Sequence, residues 1–186
     1  FLYFDNIYVT DTKTETNTSG GGVEEAITMI ADFSKAKNVT PTGFPASSEQ
    51  ILTGDVTLKW ASPNLSKGMV LTSVPEDWTP YKTLVMDIYS EVATMSTLKV
   101  VVSSPNSDTT GDDYFLTDLV LDWTGWKQVT IAVNGAPFGK TRTPLGWDKV
   151  TNLTFWSEFG GVALRADTVL YIDEIYLSVD KVAPEQ

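Results

Sequence analysis

The chemistry available to this chain is narrowed first by two residue types it lacks. Cysteine and histidine are both absent, so there is no thiol nucleophile, no disulfide, no zinc site built on Cys or His, and no histidine general base. Carboxylates and aromatic rings remain. The 24 Asp+Glu set against 13 Lys+Arg give a formal net charge of −11, and a metal bound here would be a hard, oxygen-ligated cation, calcium before magnesium. The 6 Trp, 7 Tyr and 8 Phe supply flat apolar faces of the kind that stack on pyranose rings, with neighbouring amides and carboxylates bonding the hydroxyls.

Glycoside hydrolysis would need two matched carboxylates. Glu158, Asp87, Glu91, Asp112 and Asp113 could supply a pair, but nothing in their context marks one. Catalysis is therefore not expected, and non-catalytic binding is. Trp156, two residues from Glu158 in LTFWSEF, is the leading platform, weighed against a core or inter-module contact. Trp147, in the loop after Pro144-Leu145-Gly146, is a rim contact or a lid over the core. Tyr89 with Asp87, Tyr114 beside Asp112 and Asp113, and Arg165 complete the candidate ligand-binding set. Trp60, Trp78 and Trp126 are expected to be structural.

The metal candidate is Asp173, which interrupts the apolar run VLYIDEIYL. A carboxylate there is costly if buried unpaired. Coordination of a structural Ca2+ would resolve the cost, as would backbone hydrogen bonds to a bulge. Asp32 is the expected partner, because the first and last strands of a jelly roll pair.

Those side chains must be positioned by strands. GDVTLKWAS, YKTLVMDIYSE, STLKVVVSS, GWKQVTIAV, VTNLTFWSE and TVLYIDEIYLSV are short runs rich in β-branched and aromatic residues, separated by Pro, Gly, Asn and Asp turn material. This predicts an all-β fold, a β-sandwich jelly roll. Alternation puts Leu84, Met86 and Ile88 on one face of a strand, opposite Val85, Asp87 and Tyr89. It likewise groups Leu153, Phe155, Ser157 and Phe159 as core, opposite Thr154, Trp156 and Glu158. Val23 to Ala31 reads equally as helix or strand.

The opening FLYFDNIYV matches residues 169–177 at Leu2/Leu170, Tyr3/Tyr171, Asp5/Asp173, Ile7/Ile175 and Tyr8/Tyr176. Residues 1–9 are therefore expected to be the truncated last strand of a preceding similar module. Residues 10–22 form a Thr/Gly-rich linker, 23–180 the β-sandwich, and 181–186 a tail. The charge disfavours nucleic acid and an anionic membrane surface, and no apolar run is long enough to span a bilayer as a helix.

Four blocks, ADFSKAKN, DWTPYKTLVMDIYS, DWTGWKQVTIAV and LYIDEIYL, resemble the carbohydrate-binding modules of jelly-roll, galactose-binding-like type found in secreted bacterial multimodular polysaccharide-degrading enzymes. Asp32-Phe33 matches the early Asp-Phe-Glu segment of such modules, with Ser34 in place of the Glu. The resemblance implies a structural calcium site at Asp173, fold-determining roles for Trp78 and Trp126, and a concave ligand face. It also implies a polysaccharide or oligosaccharide as partner, adjacent modules of the same polypeptide, and an extracellular location. A structural inter-domain module is the alternative reading, and a catalytic domain a remoter one.

Overall fold

The computed structural model describes residues 26–35, 43–62, 64–66 and 68–183. The expected neighbour strand at 1–9, the linker at 10–22 and the end of the tail lie outside them. Thirteen β-strands run through the described residues, with one 3-10 turn at Asn64–Ser66 and no α-helix. Where the helix-or-strand segment 23–31 is described, it is strand from Ile27: β1 is Ile27–Asp32, and 23–25 lie outside the described residues.

Two sheets face each other. The six-stranded sheet has the order β2 (Ala46–Ser47), β3 (Thr57–Trp60), β13 (Leu170–Ser178), β5 (Thr83–Ser90), β8 (Gly125–Ala132), with β1 also paired to β13. The five-stranded sheet has the order β4 (Met69–Leu71), β10 (Asn152–Trp156), β6 (Thr97–Ser103), β7 (Tyr114–Val120), β9 (Gly139–Thr141). A small hairpin, β11 (Glu158–Phe159) with β12 (Val162–Ala163), extends from the end of β10. This is the β-sandwich of jelly-roll type that the strand pattern predicts.

Period-2 alternation decides what each sheet gives to the core. Leu58 and Trp60, Leu84, Met86 and Ile88, and Leu170, Ile172, Ile175 and Leu177 point inward from the first sheet. They meet Met69, Leu98, Val100, Val102, Phe115, Leu153 and Phe155 from the second. Trp60 and Trp78 are fully buried, as expected. Trp126 departs from expectation. It opens β8 on the outward side, is half-buried, and meets Tyr89 edge to face at 5.6 Å. The reason is register. Trp126 sits opposite Tyr89, and Tyr89 opposite Tyr171, while the core-facing residues of β5 are its even-numbered ones.

Phe159 departs too. Strict alternation from Leu153 would send it inward, but the chain bends at Ser157, between β10 and β11. Phe159 is 39% exposed and lies on Trp156, with ring centroids 5.8 Å apart and planes 11° from parallel.

β13 contains the one irregularity that matters for the acidic residues. Against β5, Ile172 pairs with Ile88 and Ile175 with Met86, so three steps on β13 oppose two on β5. The extra residue is a β-bulge at Asp173–Glu174, set between Ile172, which pairs β3, and Glu174, which pairs Asp32 of β1.

The candidate binding groove and acidic cluster

The outward face of the five-stranded sheet carries a groove of about 320 Å³, lined on β10 by Asn152, Thr154 and Trp156, and elsewhere by Val70, Ser103, Asp112 and Tyr114. Asn152, Ser103 and Tyr114 form one cross-strand row, and Thr154, Val101 and Leu116 the next; Trp156 opens the third, opposite Lys99. Trp156 and Tyr114 nevertheless meet edge to face at 5.1 Å. Rings two rows apart reach each other only by lying across the middle row. This accounts for Val101, which is 1% exposed although it faces outward. Outside the groove lining, Phe159 is slipped against Trp156, with Lys99 Nζ 5.1 Å from its ring and bonded to Asp118 at 2.5 Å. Offset stacking of this kind extends one ring's apolar surface with the other's.

Polar groups at the groove are set by a stapled loop. Asp113 is buried, and its carboxylate accepts hydrogen bonds from Thr109 Oγ1 (2.5 Å), Thr143 N–H (2.9 Å) and Asn106 N–H (3.3 Å). The Thr109 hydroxyl, ahead of the Thr143 amide, holds its carboxyl below the usual Asp range. Across the sheet, Asn152 Oδ1 accepts from Ser103 Oγ and from Thr154 Oγ1, each at 2.9 Å.

Of the seven ligand-binding candidates, the structure brings Trp156 and Tyr114 together. The other five are elsewhere. Glu158 is exposed in β11 and does not line the groove. Arg165 is exposed beyond β12, paired with Asp167 at 2.6 Å, with its N–H on Ser96 Oγ. Trp147 is a lid on the core, stacked on Phe115 at 4.2 Å and edge-on to Phe138 at 5.2 Å. Tyr89 and Asp87 are on β5 in the opposite sheet, so one face shared by all seven does not form.

The outward face of that opposite sheet carries a row of its own: Lys59, Tyr171, Tyr89 and Trp126. Here the segment 47–55 closes over the row. Tyr171 is buried, its Oη 2.5 Å from Glu49 Oε2 and 3.0 Å from Glu91 Oε1. Burial, then the Glu49 carboxylate, pushes the Tyr171 phenol up to about 12, while Lys59, paired with Glu49, holds that carboxyl below its usual range.

Asp32, Asp173 and Glu174 converge, with one carboxylate oxygen from each within 4.8 Å of the others. Such a cluster can coordinate a divalent cation. Thr53 donates its N–H to Asp173 Oδ2 at 2.7 Å and its hydroxyl to Oδ1 at 2.9 Å. Asp173 accepts bonds from the covering loop and also faces two further acids. Burial raises the Asp173 carboxyl above its usual range, with the Asp32 charge adding to it; burial, then Asp173, does the same to Glu174. Sequence reasoning passed over Glu174, because alternation puts neighbours on opposite faces and only the bulge brings both to one side.

Gly54 lets the covering loop approach. It has φ +66, and a Cβ there would stand 2.4 Å from the Ser34 carbonyl oxygen and 2.7 Å from Ser34 Cβ. The same carbonyl accepts the Asp55 N–H at 2.8 Å. Gly54→Ala is expected to cost about 2 kcal/mol, from left-handed strain plus the collision. Melting should fall by roughly 5 °C in a domain of this size, and an unchanged melting curve would show that the loop does not need this approach.

No protein-family model and no curated protein sequence matches the chain. Solved structures do. A family 11 carbohydrate-binding module of a cellulosomal cellulase of Clostridium thermocellum is 16% identical over 84% of this chain and 95% of that one, with a TM-score of 0.55. A family 11 module from the same organism, in complex with a β-1,3-1,4-mixed-linked tetrasaccharide, is 14% identical over 84% of each chain, at 0.52. A family 30 carbohydrate-binding module is 15% identical over 77% of each, at 0.54. At these identities the likeness establishes a shared fold: the chain has the β-sandwich of these modules.

Proposed function

We propose that this chain is a non-catalytic carbohydrate-binding module of an extracellular multimodular protein, and that its five-stranded sheet binds a polysaccharide in the Trp156–Tyr114 groove. One observation carries the reading. A half-buried Trp, with a Phe stacked on it, and a Tyr form apolar surface in an open groove that is also lined by hydroxyls, an amide and carboxylates. Apolar faces with a few fixed polar groups are what a pyranose ring needs. The shared fold supports the reading, since the solved modules bear carbohydrate-binding names and one holds a mixed-linked tetrasaccharide.

The carboxylates argue against hydrolysis in this groove. A glycosidic general acid needs a raised pKa. Asp113, the buried acid there, is shifted the other way, and the raised Asp173 and Glu174 are on the opposite sheet. The test is retardation of the full chain in gels containing individual neutral polysaccharides; free migration through all of them would remove the proposal.

Val162, 71% exposed on the hairpin, and Val70, 49% exposed at the groove, favour a second reading, in which this face packs against a neighbouring module. Glycan-independent association with an adjacent module, lost in Val162→Asp, would support that reading instead.

The acidic cluster, in this reading, holds a structural calcium ion. Asp32, Asp173 and Glu174 are hard oxygen donors, and their mutual repulsion under partial burial is relieved by a divalent cation. The ion would tie β1 to β13 beneath the 47–55 loop. Calcium at about a hundredfold above its Kd should stabilise by about 2.7 kcal/mol relative to chelated protein, or on the order of 5–10 °C in melting. Coincident melts with calcium and with chelator would exclude a native-state site.

A further inference from the structure

One end of the groove is bounded by Gly111, and the side chain against that glycine belongs to Arg142. Arg142 directly follows β9 with φ +59, a left-handed conformation that glycine takes freely and an arginine takes at a cost. Gly111 has φ +100, and a Cβ there would stand 2.6 Å from Arg142 Cζ and 2.7 Å from Nη2. The guanidinium therefore occupies the space that any other residue at 111 would fill. The Asp113 staple reaches the next residue, through the Thr143 N–H, while Asn106 Nδ2 bonds the Thr143 carbonyl at 3.1 Å.

Little of the guanidinium is used by the fold. Nη1 donates to the Thr110 carbonyl at 2.7 Å, one of five N–H donors. The sequence has two arginines. Arg165 is paired to Asp167, whereas Arg142 has no carboxylate within ion-pair distance among the described residues. In a chain of net charge −11, Arg142 is an exposed arginine held in a seat beside a groove-lining glycine, strained at its backbone and left with spare donors, while its charge also favours the nearby Asp113 carboxylate.

We infer that Arg142 contacts the ligand and sets specificity at this end of the groove, donating to the hydroxyl oxygens of a neutral sugar unit while Asp112 accepts a hydroxyl proton beside it. The inference rests on the groove reading above. It selects a neutral unit because hydroxyls both donate and accept, matching an Arg–Asp combination, whereas a sugar carboxylate would be repelled by Asp112.

The experiment compares wild type, Arg142→Gly, Arg142→Lys and Trp156→Ala on the neutral polysaccharide that retards wild type, and on carboxylated polysaccharides, at low and high salt. Melting is recorded for each protein. Arg142→Gly should weaken binding about tenfold or more, the scale of a charge-assisted hydrogen bond. It should melt no earlier than wild type, since glycine relieves the backbone. Arg142→Lys keeps the charge without the fork and should fall in between, with little salt dependence throughout. If Arg142→Gly melts early, Arg142→Lys decides at a temperature where it and wild type are both folded. Wild-type affinity in the Arg142 variants alongside loss in Trp156→Ala would overturn this inference alone. Wild type binding nothing, or Trp156→Ala binding like wild type, would overturn the groove reading and this with it. Binding that requires a carboxylated polysaccharide and collapses in high salt would overturn the neutral assignment.

Discussion

Replacing Trp156 by Ala should weaken polysaccharide binding about thirtyfold, which corresponds to about 2 kcal/mol, the scale of a central aromatic anchor. Trp156 spans the middle of the groove floor, meeting Tyr114 at one edge and Phe159 on one face. Its removal takes away the largest ring and loosens both neighbours. Trp156→Phe keeps a flat face and should lose less. Because the side chain is half-buried on an outward face, the melting temperature of Trp156→Ala should drop only a few degrees. A companion variant, Trp126→Ala, removes an indole from the opposite sheet and should bind as wild type does. Calorimetric titration of wild type and the three variants decides the matter. Equal loss in Trp156→Ala and Trp126→Ala would mean that binding is not confined to one sheet.

The second large effect concerns stability. Trp78→Ala should cost about 3–5 kcal/mol, a substantial part of the 5–15 kcal/mol that holds a typical domain folded, and lower melting by on the order of 10 °C. Trp78 is fully buried at one end of the sandwich. Its Nε1 donates to the Pro75 carbonyl at 2.9 Å, its N–H to the Trp147 carbonyl at 2.7 Å, and its own carbonyl accepts Asn134 Nδ2 at 2.8 Å. Its ring lies 6.1 Å from Trp147, which stacks on Phe115. Alanine would leave a cavity beneath that group of rings. Urea titration should show a lower midpoint with an unchanged slope, and a loss no greater than that of Trp126→Ala would contradict the division of the indoles between core and surface.

That division marks where sequence reading stops. The β class, the core row of β5, Leu153 and Phe155 of β10 and the burial of Trp60 and Trp78 follow from local pattern, because alternation and turn residues act over a few positions. Tyr89 and Asp87 look like members of one site with Trp156, yet they occupy the other sheet. Sheet membership depends on which distant strands pair, and no local signal encodes this. Phe159 and Glu174 fail for a shared physical reason: a bend at Ser157 and a bulge at Asp173 each shift the period by one, so strict alternation sends the next side chain the wrong way. Arg142 is invisible in sequence, because its backbone conformation and its seat on Gly111 arise from β9 and the 105–113 loop meeting in space.

The pairing of the first and last strands has a mechanical consequence. Ile27 lies opposite Ser178, and Asp32 opposite Glu174, so the chain enters and leaves the sandwich at one end of a two-strand ladder. Tension applied through flanking polypeptide would part β1 from β13 rung by rung, a zipper opened from its loose end, rather than shear all the rungs at once. The carboxylates of Asp32, Asp173 and Glu174 sit at the far end of that zipper. A cation held there would act as its stop, resisting the pull only after the outer rungs had given way.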